Sequence, residues 1–212
     1  MSGADGVLVA VEGGDGAGKS VQARLLAQAL RARGHDVLLT RQPGGTDLGA
    51  ALRTLLLHGG PVTPRAEALL FAADKAEHTE LVLRPALAAG QVVITDRFTD
   101  SAVAYQGAGR DLGAAEVHDL QTWAVDALVP DLTVVLDVPP EVARARRATA
   151  PDRLEAQPDA FHAAVREHFL AVAHGSPHRY LVLDGTPDAD TVHDAVLAGL
   201  DARGLLPQGV GP

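Results

Sequence analysis

The stretch VLVAVEGGDGAGKSVQARLLAQALRARG, residues 7–34, decides the fold. Residues 7–11 form a continuous apolar run, which suits a strand buried on both faces of a parallel sheet. The run ends at Glu12 and enters a glycine cluster. Over residues 20–33 the period changes: Leu25, Leu26, Ala29 and Leu30 recur at helical spacing, and Gly34 stands where a C-cap is wanted. Residues 37–40 read as a second strand. Strand, glycine turn, helix, strand is a βαβ opening.

The turn carries chemistry of its own. Gly13-Gly14-Asp15-Gly16-Ala17-Gly18-Lys19-Ser20 matches G-x-x-x-x-G-K-[ST] between a strand and a helix, the context that this motif requires. Glycines let the backbone curl until its N–H groups point at phosphate oxygens, and the helix N-terminus adds positive dipole. Lys19 is a compact charge for β- and γ-phosphates, and Ser20 offers a hydroxyl to Mg²⁺. A dinucleotide fingerprint G-x-G-x-x-G fails in both frames, meeting Lys19 or Val21 where glycine is needed. A guanine-reading N-K-x-D is absent, because neither lysine follows an asparagine. The loop therefore points to ATP.

Outward from this unit, strands are expected at 92–95, 132–137 and 180–183. Helices are expected at 48–57, 66–89 (kinked at Pro85), 114–128, 141–148, 160–173 and 188–200. There is no repeat and no long linker, so residues 1–212 read as a single domain. The class is α/β: a doubly wound, five-stranded parallel sheet with helices on both faces, a P-loop fold with a short lid at about 144–157. Ligands bind beyond the carboxyl ends of such strands, where Glu12, Thr40, Asp96 and Asp137 stand.

Composition narrows the function. The chain has no cysteine and a net charge of -9. Disulfides and thiolate metal sites are excluded, and an acidic surface argues against nonspecific nucleic-acid binding. No run approaches the roughly 20 apolar residues of a membrane span, and residues 1–11 lack the marks of a signal peptide. A cytoplasmic home is expected. The nine histidines suggest no zinc site, since Gly175 and Pro177 break the one close pair, His174 and His178. Only Lys19 and Lys75 among the 18 basic residues are lysines.

A kinase needs a second anion site. Arg41 ends strand two, Asp96-Arg97 ends strand three, and Thr99, Asp100, Ser101, Tyr105 and Gln106 follow. Arginine suits a bidentate grip on phosphate.

Here the sequence resembles the thymidylate kinase family. The resembling segments are residues 12–20, TRQPGGT (40–46), LLFAADKAEH (69–78), RPALAAG (84–90), DRFTDSAVAYQGAGR (96–110), PDLTVVLD (130–137) and DRLE (152–155). The resemblance implies ATP-dependent phosphorylation of dTMP with Mg²⁺, and a homodimer. It implies that Arg41 and Arg97 hold the acceptor phosphate and that Phe71 stacks on thymine. Tyr105 would pack on the deoxyribose, Gln106 and Ser101 would supply polar contacts at the base, and Asp15 would sit near the acceptor's sugar and phosphate. Asp96 would join Ser20 in supporting Mg²⁺. The family usually has arginine where this chain has Lys75, and that arginine reaches the base; Ala102, Gln42 and Ser20-Val21 are lesser departures.

Arg144, Arg146, Arg147 and Arg153 cluster after strand four. They are expected on a lid that closes over the phosphates, with Arg144 and Arg147 toward ATP. The catalytic set is expected to be Lys19, Asp15, Arg97 and Arg153. Two rivals stay open at this point: another nucleoside monophosphate or deoxynucleoside kinase with altered base choice, and a P-loop protein that binds nucleotide without transfer.

Overall fold

A computed structural model describes residues 6–146 and 150–206. Five parallel strands, β1 (Val7–Gly13), β2 (Val37–Arg41), β3 (Val92–Asp96), β4 (Leu132–Asp137) and β5 (Tyr180–Asp184), lie in the order β2-β3-β1-β4-β5. In register, Val9 of β1 stands between Ile94 of β3 and Leu132 of β4. Alternate residues of β1 enter opposite cores. Val9 and Val11 join α1 (Lys19–Ala32) and α9 (Ala189–Asp201), whereas Leu8 and Ala10 join Leu83, Ala86 and Phe98. A strand covered on both faces favours apolar residues, which is why the run 7–11 is unbroken.

The second face carries α3 (Pro64–His78), α6 (Ala114–Ala124) and α8 (Asp159–Gly175), with α2 (Asp47–His58) packed on α3. The helix expected over 66–89 is interrupted: α3 passes through a π-helical turn, Thr79–Leu83, into α4 (Arg84–Ala88). Pro85 has no N–H and crowds the carbonyl four residues back, and the wider turn makes room for it. The segment after Arg97, expected to be merely polar, is α5 (Thr99–Ala102) continued by a π-helical stretch, Val103–Gly109. π-Turns re-aim side chains, and this one carries Tyr105 and Gln106. α6 stops at Ala124, short of residue 128, because Asp126 and Ala127 take φ of 47° and 54°. α7 (Pro140–Ala145) begins with proline at its first position, as expected.

The topology places the reversal of strand order beside β1 and β3. The carboxyl ends of β1, β2 and β3 therefore open onto one crevice.

Candidate active site

β1 delivers the chain to the loop at residues 13–18. Gly18 precedes α1 with φ 94°, and Gly16 has φ 82° with the Ala143 carbonyl where a Cβ would stand. Both positions require glycine. Lys19 opens α1, is 6% exposed, and donates from Nζ to the Gly14 carbonyl at 2.6 Å. Burial and the Arg97 charge lower its pKa to about 8, against the pull of Asp15 and Asp96. A phosphate in the loop would draw the charged form back.

Facing the loop is Arg97, which leaves β3 in the left-handed region with φ 71°. Its N–H donates to the Val11 carbonyl at 3.0 Å, and Thr95 Oγ1 donates to the Arg97 carbonyl at 2.8 Å. This turn lays the guanidinium across the crevice. There it pairs with Asp15 and donates to Ser101 Oγ at 2.9 Å, Tyr105 Oη at 3.2 Å and the Gly13 carbonyl at 3.3 Å. Tyr105 Oη donates to Asp15 at 2.8 Å, closing a ring of three side chains. Burial pushes the Asp15 carboxyl up, but Arg97, Lys19 and the Tyr105 hydroxyl outweigh it and hold the group below its usual value.

Behind the ring lies Glu12, fully buried at the end of β1. It accepts from the Phe98 N–H at 2.7 Å, the Ser101 N–H at 3.2 Å and Ser101 Oγ at 2.6 Å. Burial, then the Asp100 charge, raise its pKa to about 7. Glu12 thus fixes the start of α5 against the phosphate loop.

Loop and acceptor side share one cavity of about 240 Å³. Its lining includes Asp15, Gly16, Lys19, Ser20, Asp96, Arg97 and Ser101, together with Arg41, Phe71, Lys75, Tyr105 and Gln106. Ser20 Oγ donates to Asp96 within it. These are hard oxygen donors of the kind Mg²⁺ takes, and among the described residues no group of three or more His, Cys, Asp or Glu could hold a metal. Two oxygens with the rest of the shell left to phosphates and water is the usual Mg²⁺ arrangement.

Lys75 is 2% exposed, and its Nζ sits 5.4 Å above the centre of the Phe71 ring. It has no hydrogen bond or ion pair among the described residues, and burial lowers its pKa to about 8. Gln106 Nε2 donates to Glu67 Oε1 at 2.8 Å.

The lid arginines fall into two kinds. Arg144 pairs with Asp159, both substantially exposed. Arg147 lies outside the described residues. Arg153, expected in catalysis, is held away from the cavity in this structure. It does not line the cavity: Nη1 pairs with the fully buried Glu67 at 2.5 Å, Nε donates to the Leu56 carbonyl at 2.8 Å, and its N–H donates to the Leu57 carbonyl at 3.2 Å. Leaving these partners would take one of two guanidinium groups from a buried carboxylate, which would keep Arg110. The motif DRLE marks a fastening, with Asp152, Leu154 and Glu155 on the cavity side.

Sequence reasoning missed Arg53 and Glu67. Arg53 of α2 lines the cavity and donates to the Pro43 carbonyl at 3.0 Å. Burial, then Arg41 and Arg97 nearby, lower its pKa, so three cations converge. One arginine on an amphipathic helix gives no signal of this kind. Glu67, one residue after the start of the expected helix, reads as a favourable first-turn acid.

A P-loop, a facing arginine cluster and a shared cleft beside the central strand define a nucleotide-binding phosphotransferase class. Comparison narrows it. The family model described as thymidylate kinase matches residues 11–196. Thymidylate kinase of Clavibacter sepedonicus is 54% identical over 183 residues, covering 84% of this chain and 87% of its own. That of Leifsonia xyli subsp. xyli is 50% identical over 202 residues, covering 93% and 96%. The crystal structure of thymidylate kinase from Ehrlichia chaffeensis superposes with a TM-score of 0.78 at 33% identity, covering 93% of this chain and 99% of that one. The chain belongs to the thymidylate kinase family.

Proposed function

We propose that this protein transfers the γ-phosphoryl group of ATP to dTMP, giving ADP and dTDP. The observation that carries the reading is that Lys19 and Arg97 line one cavity, with Asp15 paired to Arg97 and within the field of Lys19. Donor and acceptor phosphates would meet there end to end.

The phosphate loop, residues 13–20, binds the ATP phosphates, with Lys19 on the β- and γ-groups. Ser20 and Asp96 would hold Mg²⁺, which would neutralise phosphate charge. Arg97, Arg41 and Arg53 hold the acceptor phosphate, and Asp15 keeps Arg97 aimed. Phe71 stacks on the base, Lys75 and Gln106 read its polar edge, and Tyr105 packs where a 2′-hydroxyl would project. No general base is needed, because the nucleophile is already a phosphate oxygen. Catalysis is alignment of two polyanions and cancellation of their repulsion.

The segment 144–157 serves as a lid. Arg144 suits a moving cation, since an exposed ion pair such as Arg144–Asp159 is worth only ~0–1 kcal/mol and is readily exchanged for phosphate. Arg153 keeps the lid's base in place. The protein is read as a cytoplasmic homodimer; among the described residues no helix is long and apolar enough to cross a membrane.

An ADP-release assay with a panel of monophosphates tests the reading. dTMP should be the fastest acceptor. Faster turnover of dUMP or dGMP, or nucleotide binding without acceptor-dependent ADP release, would defeat it.

A further inference from the structure

Glu67 stands outside the cavity yet touches residues on two sides of it. Its carboxylate is wholly buried on α3. Oε1 accepts from Gln106 Nε2 at 2.8 Å and from Arg110 Nε at 3.3 Å. Oε2 accepts from Arg110 Nη2 at 3.3 Å and pairs with Arg153 Nη1 at 2.5 Å. Every partner is a donor, as a carboxylate beside two guanidinium groups requires.

This fixes an otherwise ambiguous group. A glutamine amide can present either its NH₂ or its carbonyl to a ligand, and the two ends have nearly the same shape. Glu67 accepts only, so it claims the NH₂ of Gln106. The amide carbonyl, Oε1, is left with no donor among the described residues, in a side chain that lines the cavity. Lys75, on the same cavity, is in its charged form a pure donor, with no hydrogen-bond acceptor or ion pair among the described residues. The base edge therefore meets one acceptor and one donor. That pair complements a ring N–H beside a carbonyl, the imide edge of thymine or uracil. It opposes cytosine, whose ring nitrogen accepts and whose exocyclic amine donates.

We infer that Glu67 is a positioning residue that sets base selectivity by locking the Gln106 amide with its carbonyl toward the acceptor base. This rests on the reading of Gln106 as a base contact. Arg110 and Arg153 belong to the same device. Arg110 Nη1 donates to Gln157 Oε1 at 2.8 Å, and Gln157 Nε2 donates to the Arg153 carbonyl at 2.9 Å. The carboxylate that orients the amide also anchors residues 152–157 over the cavity.

The substitution Glu67→Gln discriminates. The two guanidinium groups would hold the new carbonyl, turning its NH₂ toward Gln106. Gln106 would then flip to offer its own carbonyl to residue 67 and its NH₂ to the base. The ratio of kcat/KM for dTMP over dCMP should fall by about tenfold or more, the value of one hydrogen bond exchanged for an opposed pair. A purely structural role would lower both substrates alike and leave the ratio fixed, and that result would overturn the inference. Gln106→Met is the companion measurement. If it leaves the ratio unchanged, the base-contact reading itself is wrong. If it changes the ratio while Glu67→Gln does not, only the role of Glu67 is wrong. Should Glu67→Gln not fold, NMR of the ¹⁵N-labelled wild-type protein decides: the Gln106 side-chain amide protons should exchange slowly with solvent before and after dTMP is added. Fast exchange in the unliganded protein would mean that Glu67 does not hold them.

Discussion

At the scale of the residue, Arg97 shows how backbone and side chain are bound to one purpose. A left-handed φ costs a non-glycine residue about 1 kcal/mol, and here the turn is held by Thr95 and the Val11 carbonyl. Without that turn the guanidinium would not reach Asp15, Ser101 and Tyr105 together. Arg97→Gly should therefore be about 1 kcal/mol more stable than Arg97→Ala in chemical denaturation, since glycine relieves the strain that alanine keeps. Both variants should lose about 10²-fold or more in kcat/KM for dTMP, as expected when a preorganised cation is removed from a transferring phosphoryl group. Equal stability of the two would mean that the turn is unstrained. Lys75 yields a second residue-scale prediction. Burial lowers its pKa to about 8, so the ammonium is present below that pH and lost above it. The KM for dTMP should rise as pH passes through about 8 and beyond, while Lys75→Arg, charged throughout, should flatten the rise. Lys19 titrates in the same range but touches ATP, whose phosphates pull its proton back, so its signature would fall on the KM for ATP. A KM for dTMP that is level from pH 7 to 9.5 in the wild type would remove Lys75 from the base contact.

At the scale of the element, the lid base and the lid helix make opposite claims on their arginines. Arg153–Glu67 is buried, with side-chain exposures of 17% and 0%, whereas Arg144–Asp159 is exposed at 53% and 71%. Breaking one contact of a buried carboxylate that keeps another cation, as Glu67 keeps Arg110, costs less than leaving the charge bare. Arg153→Ala should lower the unfolding free energy by about 1.5–3 kcal/mol, the value of a hydrogen bond to a charged group, with any fall in kcat recovered in part at low temperature. Arg144→Ala should leave the Tm within about 2 °C and lower kcat instead. Thermal unfolding paired with single-temperature kinetics separates the two, and a stable but inactive Arg153→Ala would return that residue to the chemistry. These elements also mark what the sequence made legible. The central strands were readable because both of their faces are buried, which forces unbroken apolar runs such as 7–11 and 92–94. The phosphate loop and Arg97 were readable because their residue types follow directly from phosphate chemistry at strand ends. The π-helical stretches were not, since nothing in the apolar period distinguishes a five-residue from a four-residue hydrogen-bond step. The pairing of Arg153 with Glu67 was illegible for a related reason: a basic residue in a polar loop looks the same whether it faces a ligand or a buried carboxylate 86 positions earlier, and only packing decides.

At the scale of the whole molecule, an overall charge of -9 coexists with a cavity lined by Lys19, Arg41, Arg53, Lys75 and Arg97, five of the 18 basic residues. The distant field repels anions and the local one captures them, so the distribution of charge favours small anions that fit the cavity over extended ones such as nucleic acid. The remaining surface is not uniformly polar. Leu55 on α2, Leu69 on α3 and Trp123 on α6 are 46%, 57% and 80% exposed, on helices that pack against one another. Trp123 is the only tryptophan in the chain. On the proposed homodimer, this aromatic, on a helix carrying no catalytic residue, would lie against the second copy of the chain. A stable interface needs roughly 800 Å² from each partner, which single side chains cannot supply but neighbouring long helices can. Sedimentation at micromolar concentration should give about twice the 21.9 kDa of one chain. Dilution should shift the tryptophan emission to the red as Trp123 returns to water, and Trp123→Glu should give a monomer by burying an unpaired charge at the contact. A lone 21.9 kDa species with water-like emission at every concentration would show that this face serves something other than self-association.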